Sequence, residues 1–210
     1  MRTKASRGTG QHFESLDGRR LFAGTLTLSG TSGADEIYVY LSGSNLQVSV
    51  NDVVTNYASS SVSGISISGG NGDDDLEVSV AVTQPVTISG GNGSDIVFGG
   101  AGNDTLYGDA GQDYIRGKNG NDYIDAGGNL NASYQLSYGD NGSDTIYGGR
   151  DDDKMYGGTG SDYLYGSLGV NVYCGNDGDN NDDGAPDYYF HTASETYGAV
   201  YGQPNDQNIW

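Results

Sequence analysis

Aspartate returns at one fixed place in a glycine-framed pattern along much of this chain. In "GGNGSDIVFGGAGNDTLYGDAGQDYIRGKNGNDYID", residues 90–125, the frames Gly90–Phe98, Gly99–Tyr107, Gly108–Arg116 and Gly117–Asp125 follow one another without a gap. Each carries an aspartate at its sixth position: Asp95, Asp104, Asp113 and Asp122. After an insertion at Ala126–Tyr138 the frame resumes at Gly139–Tyr147, Gly148–Tyr156 and Gly157–Tyr165, with Asp144, Asp153 and Asp162, and fades through Gly166–Cys174. Outlying copies at Gly69–Glu77 and Gly30–Tyr38 add Asp74 and Asp35. Crowded carboxylates repel one another, and glycine loses the most backbone entropy on folding. The folded state therefore calls for an added ligand. Tight glycine turns aim backbone carbonyls inward, so carboxylate and carbonyl oxygens together suit a hard cation.

The elements that position these turns follow from the rest of the nonapeptide. Its first six residues form the turn and its last three a very short strand, whose middle residue faces inward. That middle position holds Ile37, Leu76, Val97, Leu106, Ile115, Ile124, Ile146, Met155 and Leu164, all aliphatic or methionine. Two nonapeptides make one coil, so residues 18 apart stack on neighbouring strands about 4.8 Å apart. Asp95 then meets Asp113, Asp104 meets Asp122, and Asp144 meets Asp162. Asp153 faces the degenerate turn near Asn171, and a three-residue bulge around Gln84–Pro85 allows Asp74 to stack on Asp95. Segments such as "LQVSV", "ISIS", "LEVSV" and "VTIS" alternate apolar with small polar residues and predict strands with one buried face. The N-terminal third reads as the same solenoid with fewer acidic turns. Outward positions beside the core residue hold Tyr107, Tyr114, Tyr123, Tyr147, Tyr156, Tyr163 and Tyr165.

Composition narrows the partners. The chain has 210 residues, 37 Gly, 34% hydrophobic residues and a net charge of −19, which fits a thin core rather than a conventional globule. Positive charge gathers near the start, at Arg2, Lys4, Arg7, Arg19 and Arg20, so the repeat body is almost uniformly acidic. Such a body repels nucleic acid and anionic membranes and attracts cations. Cys174 is the only cysteine, which excludes an intramolecular disulfide. No apolar run reaches the length of a membrane span, and the basic N-terminus lacks the apolar core of a Sec-type signal. With His12 and His191 as the only histidines there is no H-E-x-x-H zinc site, and no G-x-S-x-G elbow occurs. No enzymatic activity is expected.

The pattern G-G-x-G-x-D-x-U-x in residues 90–125 and 139–165 resembles the calcium-binding nonapeptide of RTX (hemolysin-type) proteins. The resemblance implies an all-β fold, a right-handed parallel β-roll or β-helix solenoid with Ca2+ held in the turns. It also implies ligands at Asp35, Asp74, Asp95, Asp104, Asp113, Asp122, Asp144, Asp153 and Asp162, each ion lying between turns one coil apart. Four replacements depart from the motif: Asp109, Lys118 and Asp140 at the second glycine, and Asp151 at the fourth-position glycine of "GGRDDDKMY". A further acidic stretch, "NDGDNNDDGAPD", resembles the calcium loop of thrombospondin type 3 repeats and offers Asp179, Asn181, Asp183 and Asp187. Metal-coupled folding implies a chain that is expanded in a low-calcium cytosol and folds after export. RTX rolls are also similar to accessory modules of alginate-modifying epimerases, which makes the outward tyrosines an alternative polysaccharide-binding strip. "FESLDGRRLFAG", Phe13–Gly24, is similar to a leader of secreted or surface proteins of planctomycete bacteria. The expected division is a basic leader or tail at 1–23, a degenerate solenoid at 24–89, the roll at 90–174 and an acidic loop with tail at 175–210.

Overall fold

The computed structural model describes residues 24–128, 134–166, 171–174, 188–190, 200–201 and 207–209. Its strands are β1 (Gly24–Ser29), β2 (Glu36–Ser42), β3 (Asn45–Val50), β4 (Val53–Ala58), β5 (Val62–Asn71), β6 (Asp75–Val78), β7 (Val86–Asn92), β8 (Ile96–Phe98), β9 (Thr105–Ala110) and β10 (Tyr114–Asn119). They continue as β11 (Tyr123–Asp125), β12 (Leu136–Asn141), β13 (Thr145–Tyr147), β14 (Lys154–Thr159), β15 (Tyr163–Tyr165), β16 (Val172–Cys174), β17 (Tyr188–Phe190), β18 (Val200–Tyr201) and β19 (Gln207–Ile209). Odd-numbered strands from β5 onward join β1 in a nine-stranded sheet ordered β1-β5-β7-β9-β11-β13-β15-β17-β19. The even-numbered strands together with β3 form the other, ordered β18-β16-β14-β12-β10-β8-β6-β2-β3-β4. Every pairing is parallel except the two involving β3. The chain thus alternates between two facing sheets, as a parallel β-roll does.

The core is the column that period-two alternation requires. In one sheet Ile67, Ile88, Leu106, Ile124, Ile146, Leu164 and Tyr189 fall in register. In the other Ile37, Leu76, Val97, Ile115, Ser137, Met155 and Tyr173 do so. All nine inward residues expected from the repeat are wholly buried, at 0% exposure. Cys174 is buried too, and burial pushes its thiol pKa up.

Two features differ from the repeat reading. The N-terminal third is not solenoid throughout, because β3 and β4 turn back antiparallel on β2. Both reversals are two-residue hairpin turns, Gly43-Ser44 and Asn51-Asp52, with positive φ at Gly43 (62°), Asn51 (48°) and Asp52 (64°). Such primed turns match the twist of antiparallel strands and stop the coil from advancing. The described end of the segment read as an interruption, residues 134–138, instead belongs to another half-coil. Gln135 stands where the turn aspartate would be, and Leu136-Ser137-Tyr138 is the strand, paired with β10 and β14.

Candidate metal-binding turns

The turns between the sheets form two stacks along the roll. One contains Asp35, Asp74, Asp95, Asp113, Gln135, Asp153 and Asn171, the other Asp104, Asp122, Asp144 and Asp162. Within a stack, beyond Asp35 at its start, the Oδ1 of an aspartate accepts the backbone N–H of the equivalent residue one coil earlier. Asp74 accepts from Asp35 (2.8 Å), Asp95 from Asp74 (2.8 Å) and Asp113 from Asp95 (2.9 Å). Asp122 accepts from Asp104 (2.8 Å), Asp144 from Asp122 (2.7 Å) and Asp162 from Asp144 (2.8 Å). Asp74 and Asp95 stack although 21 residues separate them, and Asp153 donates to Asn171 Oδ1 at 2.9 Å. The carboxylates are therefore aligned on the roll axis by the backbone itself.

This ladder uses one oxygen of each pair. The Oδ2 atoms of Asp74, Asp95, Asp113, Asp122 and Asp144 are buried with no hydrogen-bond partner. Each lies beside the first glycine of its own turn and a carbonyl one coil on. A Cβ at Gly108, for example, would sit 2.6 Å from Asp113 Oδ2 and 2.5 Å from the Ala126 carbonyl oxygen. Equivalent pairs are Asp95 Oδ2 with the Gly108 carbonyl, Asp122 Oδ2 with that of Gly139, and Asp144 Oδ2 with that of Gly157. The first residue must be glycine because oxygens converge where its side chain would begin. Among the described residues no three acidic, histidine or cysteine side chains cluster, so the second kind of donor here is the backbone carbonyl. An all-oxygen donor set of this kind fits a hard divalent cation and not zinc. When bound, the ion supplies the positive charge that the buried carboxylates lack.

Burial lifts six of the stacked carboxyls above their ordinary pKa. Asp95 and Asp104 are pushed up to about 6, Asp113 and Asp144 to about 7, and Asp122 to about 8, with neighbouring carboxylates adding to the rise at Asp95, Asp113, Asp122 and Asp144. Asp74 is raised by burial as well. Asp35 behaves differently. Burial raises its pKa, but hydrogen bonds from Asn51 Nδ2 (2.5 Å) and Thr31 outweigh this and leave it below its ordinary value. At the start of the second stack Asp104 is also satisfied by the backbone, accepting from Val86 N–H (2.8 Å) and Gly100 N–H (2.6 Å). Protein donors thus close the N-terminal ends of both stacks.

Some participants carried weaker signals. Gln135 and Asp151 break the motif, and nothing in spacing alone assigned them to the stack. The fifth turn position forms an outer ladder, with Asn121 N–H donating to Asn103 Oδ1 and Ser143 N–H to Asn121 Oδ1, both at 2.9 Å. Its signal was the recurrence of Asn and Ser at that place. Asp109, Lys118 and Asp140 replace the second glycine while keeping left-handed φ values of 68°, 77° and 73°. Compensating contacts hold all three: Ser89 Oγ donates to Asp109 Oδ2 at 2.5 Å, Arg116 Nε to Asp140 at 2.9 Å, and Lys118 Nζ to the Val78 carbonyl at 2.7 Å. Asp179, Asn181, Asp183 and Asp187 lie outside the described residues.

Two parallel sheets joined by stacked, carbonyl-lined acidic turns define a β-roll of the cation-binding class. Residues 89–124 and 138–173, roughly a third of the chain, match the family model of the RTX calcium-binding nonapeptide repeat (4 copies), so this chain carries RTX repeats and calcium is the cation they bind. The repeat is a structural calcium-binding unit rather than a catalytic one. No curated protein and no solved structure matched the chain.

Proposed function

We propose that this is an exported structural or interaction protein whose β-roll folds on calcium, with the ions held between successive turns by Asp74, Asp95, Asp113, Asp122, Asp144, Asp153 and Asp162. The observation that carries this reading is the row of buried Oδ2 atoms without hydrogen-bond partners beside turn carbonyls. An unpaired buried carboxylate is costly, so the free energy of calcium binding becomes free energy of folding. Asp35 and Asp104, whose oxygens also accept protein donors, stand at the N-terminal ends of the two stacks and complete the ligand set there. Asp179, Asn181, Asp183 and Asp187 form a separate calcium loop after the roll. Export accords with the habit of RTX repeat proteins and with calcium outside the cell, and residues 1–23 serve as leader or tail.

The alternative, an accessory module that presents its tyrosines to polysaccharide, draws support from the exposure of Tyr123 (36%) and Tyr163 (40%). Against it, Tyr147, Tyr165 and Phe190 stack face to face at 4.6 and 4.3 Å, so their faces are turned to one another and only their edges are left for a sugar ring. Circular dichroism of the chelated protein titrated with calcium, with magnesium as control, tests the primary reading. A cooperative coil-to-β transition specific to calcium is expected. A β signal indifferent to chelation would refute calcium-coupled folding.

A further inference from the structure

Gln135 is the one member of its stack between Asp74 and Asp153 that carries no charge. Its N–H donates to Asp153 Oδ1 at 3.3 Å, and its side chain, 1% exposed, donates from Nε2 to the Gly111 carbonyl at 3.3 Å. Its Oε1 is buried with no partner. Asp151, in the next turn of the same stack, occupies the place where most turns carry a left-handed glycine, such as Gly142 (φ 145°) and Gly160 (φ 119°). The Asp151 backbone is not left-handed, so this turn has been rebuilt around the side chain rather than strained by it. Asp151 is 9% exposed, and its Oδ2 is a second buried oxygen without a partner. An exposed turn former would face water instead.

The two side chains converge. A Cβ at Gly128, in the half-coil of Gln135, would contact Asp151 Oδ2 and lie 3.0 Å from Gln135 Nε2. The unsatisfied carboxylate oxygen of Asp151 and amide oxygen of Gln135 thus belong to side chains that meet at the one level where the motif supplies no aspartate. Leaving them unpaired is costly, and a cation would satisfy both.

We propose that this half-coil keeps a calcium site of its own, in which Asp151 supplies from the next turn the carboxylate that Gln135 lacks, with Gln135 Oε1 as a second ligand. The stack is then continuous through Asp113, Asp151 and Asp153, and the departures at 135 and 151 compensate one another. This inference rests on the reading that the regular turns bind calcium.

The test is the number of calcium ions bound per full-length chain, by equilibrium dialysis, with β content followed by circular dichroism at saturating calcium. Asp151→Asn should fold and bind one ion fewer than the unaltered protein. The double variant Gln135→Asp with Asp151→Gly, which returns the carboxylate to the motif position, should fold and bind the unaltered number. A folded Asp151→Asn protein with an unchanged count overturns the proposal. If Asp151→Asn does not fold, the double variant decides: the unaltered count supports the proposal, while one extra ion, any loss or failure to fold overturns it. An unaltered chain that binds no calcium would instead defeat the reading of the regular turns.

Discussion

In Asp122 the two carboxylate oxygens have separate tasks. Oδ1 accepts the Asp104 N–H at 2.8 Å and so fixes the register of adjacent coils, while Oδ2 is buried without a partner beside the Gly139 carbonyl. Asp122→Asn separates them, because an amide oxygen can keep the ladder while the amide NH2 repels a cation. At saturating calcium this variant should reach the same β content, with the calcium midpoint raised roughly tenfold, the equivalent of about 1.4 kcal/mol. Asp122→Ala also leaves the Asp104 N–H unpaired and should cost a further ~1–3 kcal/mol in denaturant unfolding at fixed calcium. Equal calcium midpoints for Asp122→Asn and the unaltered protein would mean that Oδ2 faces no ion.

The strands are held less by length than by stacking, since many, such as Tyr163–Tyr165, span only three residues. Each contributes one inward side chain and two outward ones, so outward rings matter more here than on a longer strand. Tyr165 lies between Tyr147 and Phe190, with centroids 4.6 and 4.3 Å away. Tyr165→Ala should lower the stability of the calcium-loaded roll by about 1–2 kcal/mol in chemical denaturation, because two stacked contacts are lost. An unchanged midpoint would make the ladder incidental. These elements were largely legible in sequence: the nine-residue period placed Ile124, Ile146 and Leu164 in one buried column and put the tyrosines outside. The β2–β3–β4 meander escaped that reading, since it turns on two short hairpin loops rather than on the period. Gln135 and Ser137 escaped it because the backbone register carries them into the stack and the core without the residue types that announce those positions. Asp151 read only as a departure from the motif because spacing cannot show which way a side chain is buried.

Across the whole molecule the dominant fact is a net charge of −19 on a roll whose interior already contains a column of carboxyls. Without metal, folding must either bury those groups charged or take up protons. The raised pKa values, about 6 for Asp95 and Asp104, about 7 for Asp113 and Asp144 and about 8 for Asp122, show that the metal-free roll holds protons more tightly than the unfolded chain, whose aspartates titrate near 3.8. Stability then falls with pH wherever the folded state binds more protons. The contribution of these groups is fully present below about pH 4 and is lost as pH rises to about 8. Acid should therefore stand in for calcium. Calcium-free protein is expected to show β structure at pH 5 and to lose it by pH 8, whereas calcium-saturated protein keeps its β signal at pH 8. By the same linkage, protons compete with the ion, so the calcium midpoint should move to higher concentration as pH is lowered from 8 to 6. Circular dichroism across that range, with and without calcium, measures both effects. A calcium-free chain equally folded at pH 5 and pH 8 would show that the apolar column alone suffices, and that charge in the turns does not control whether the roll forms.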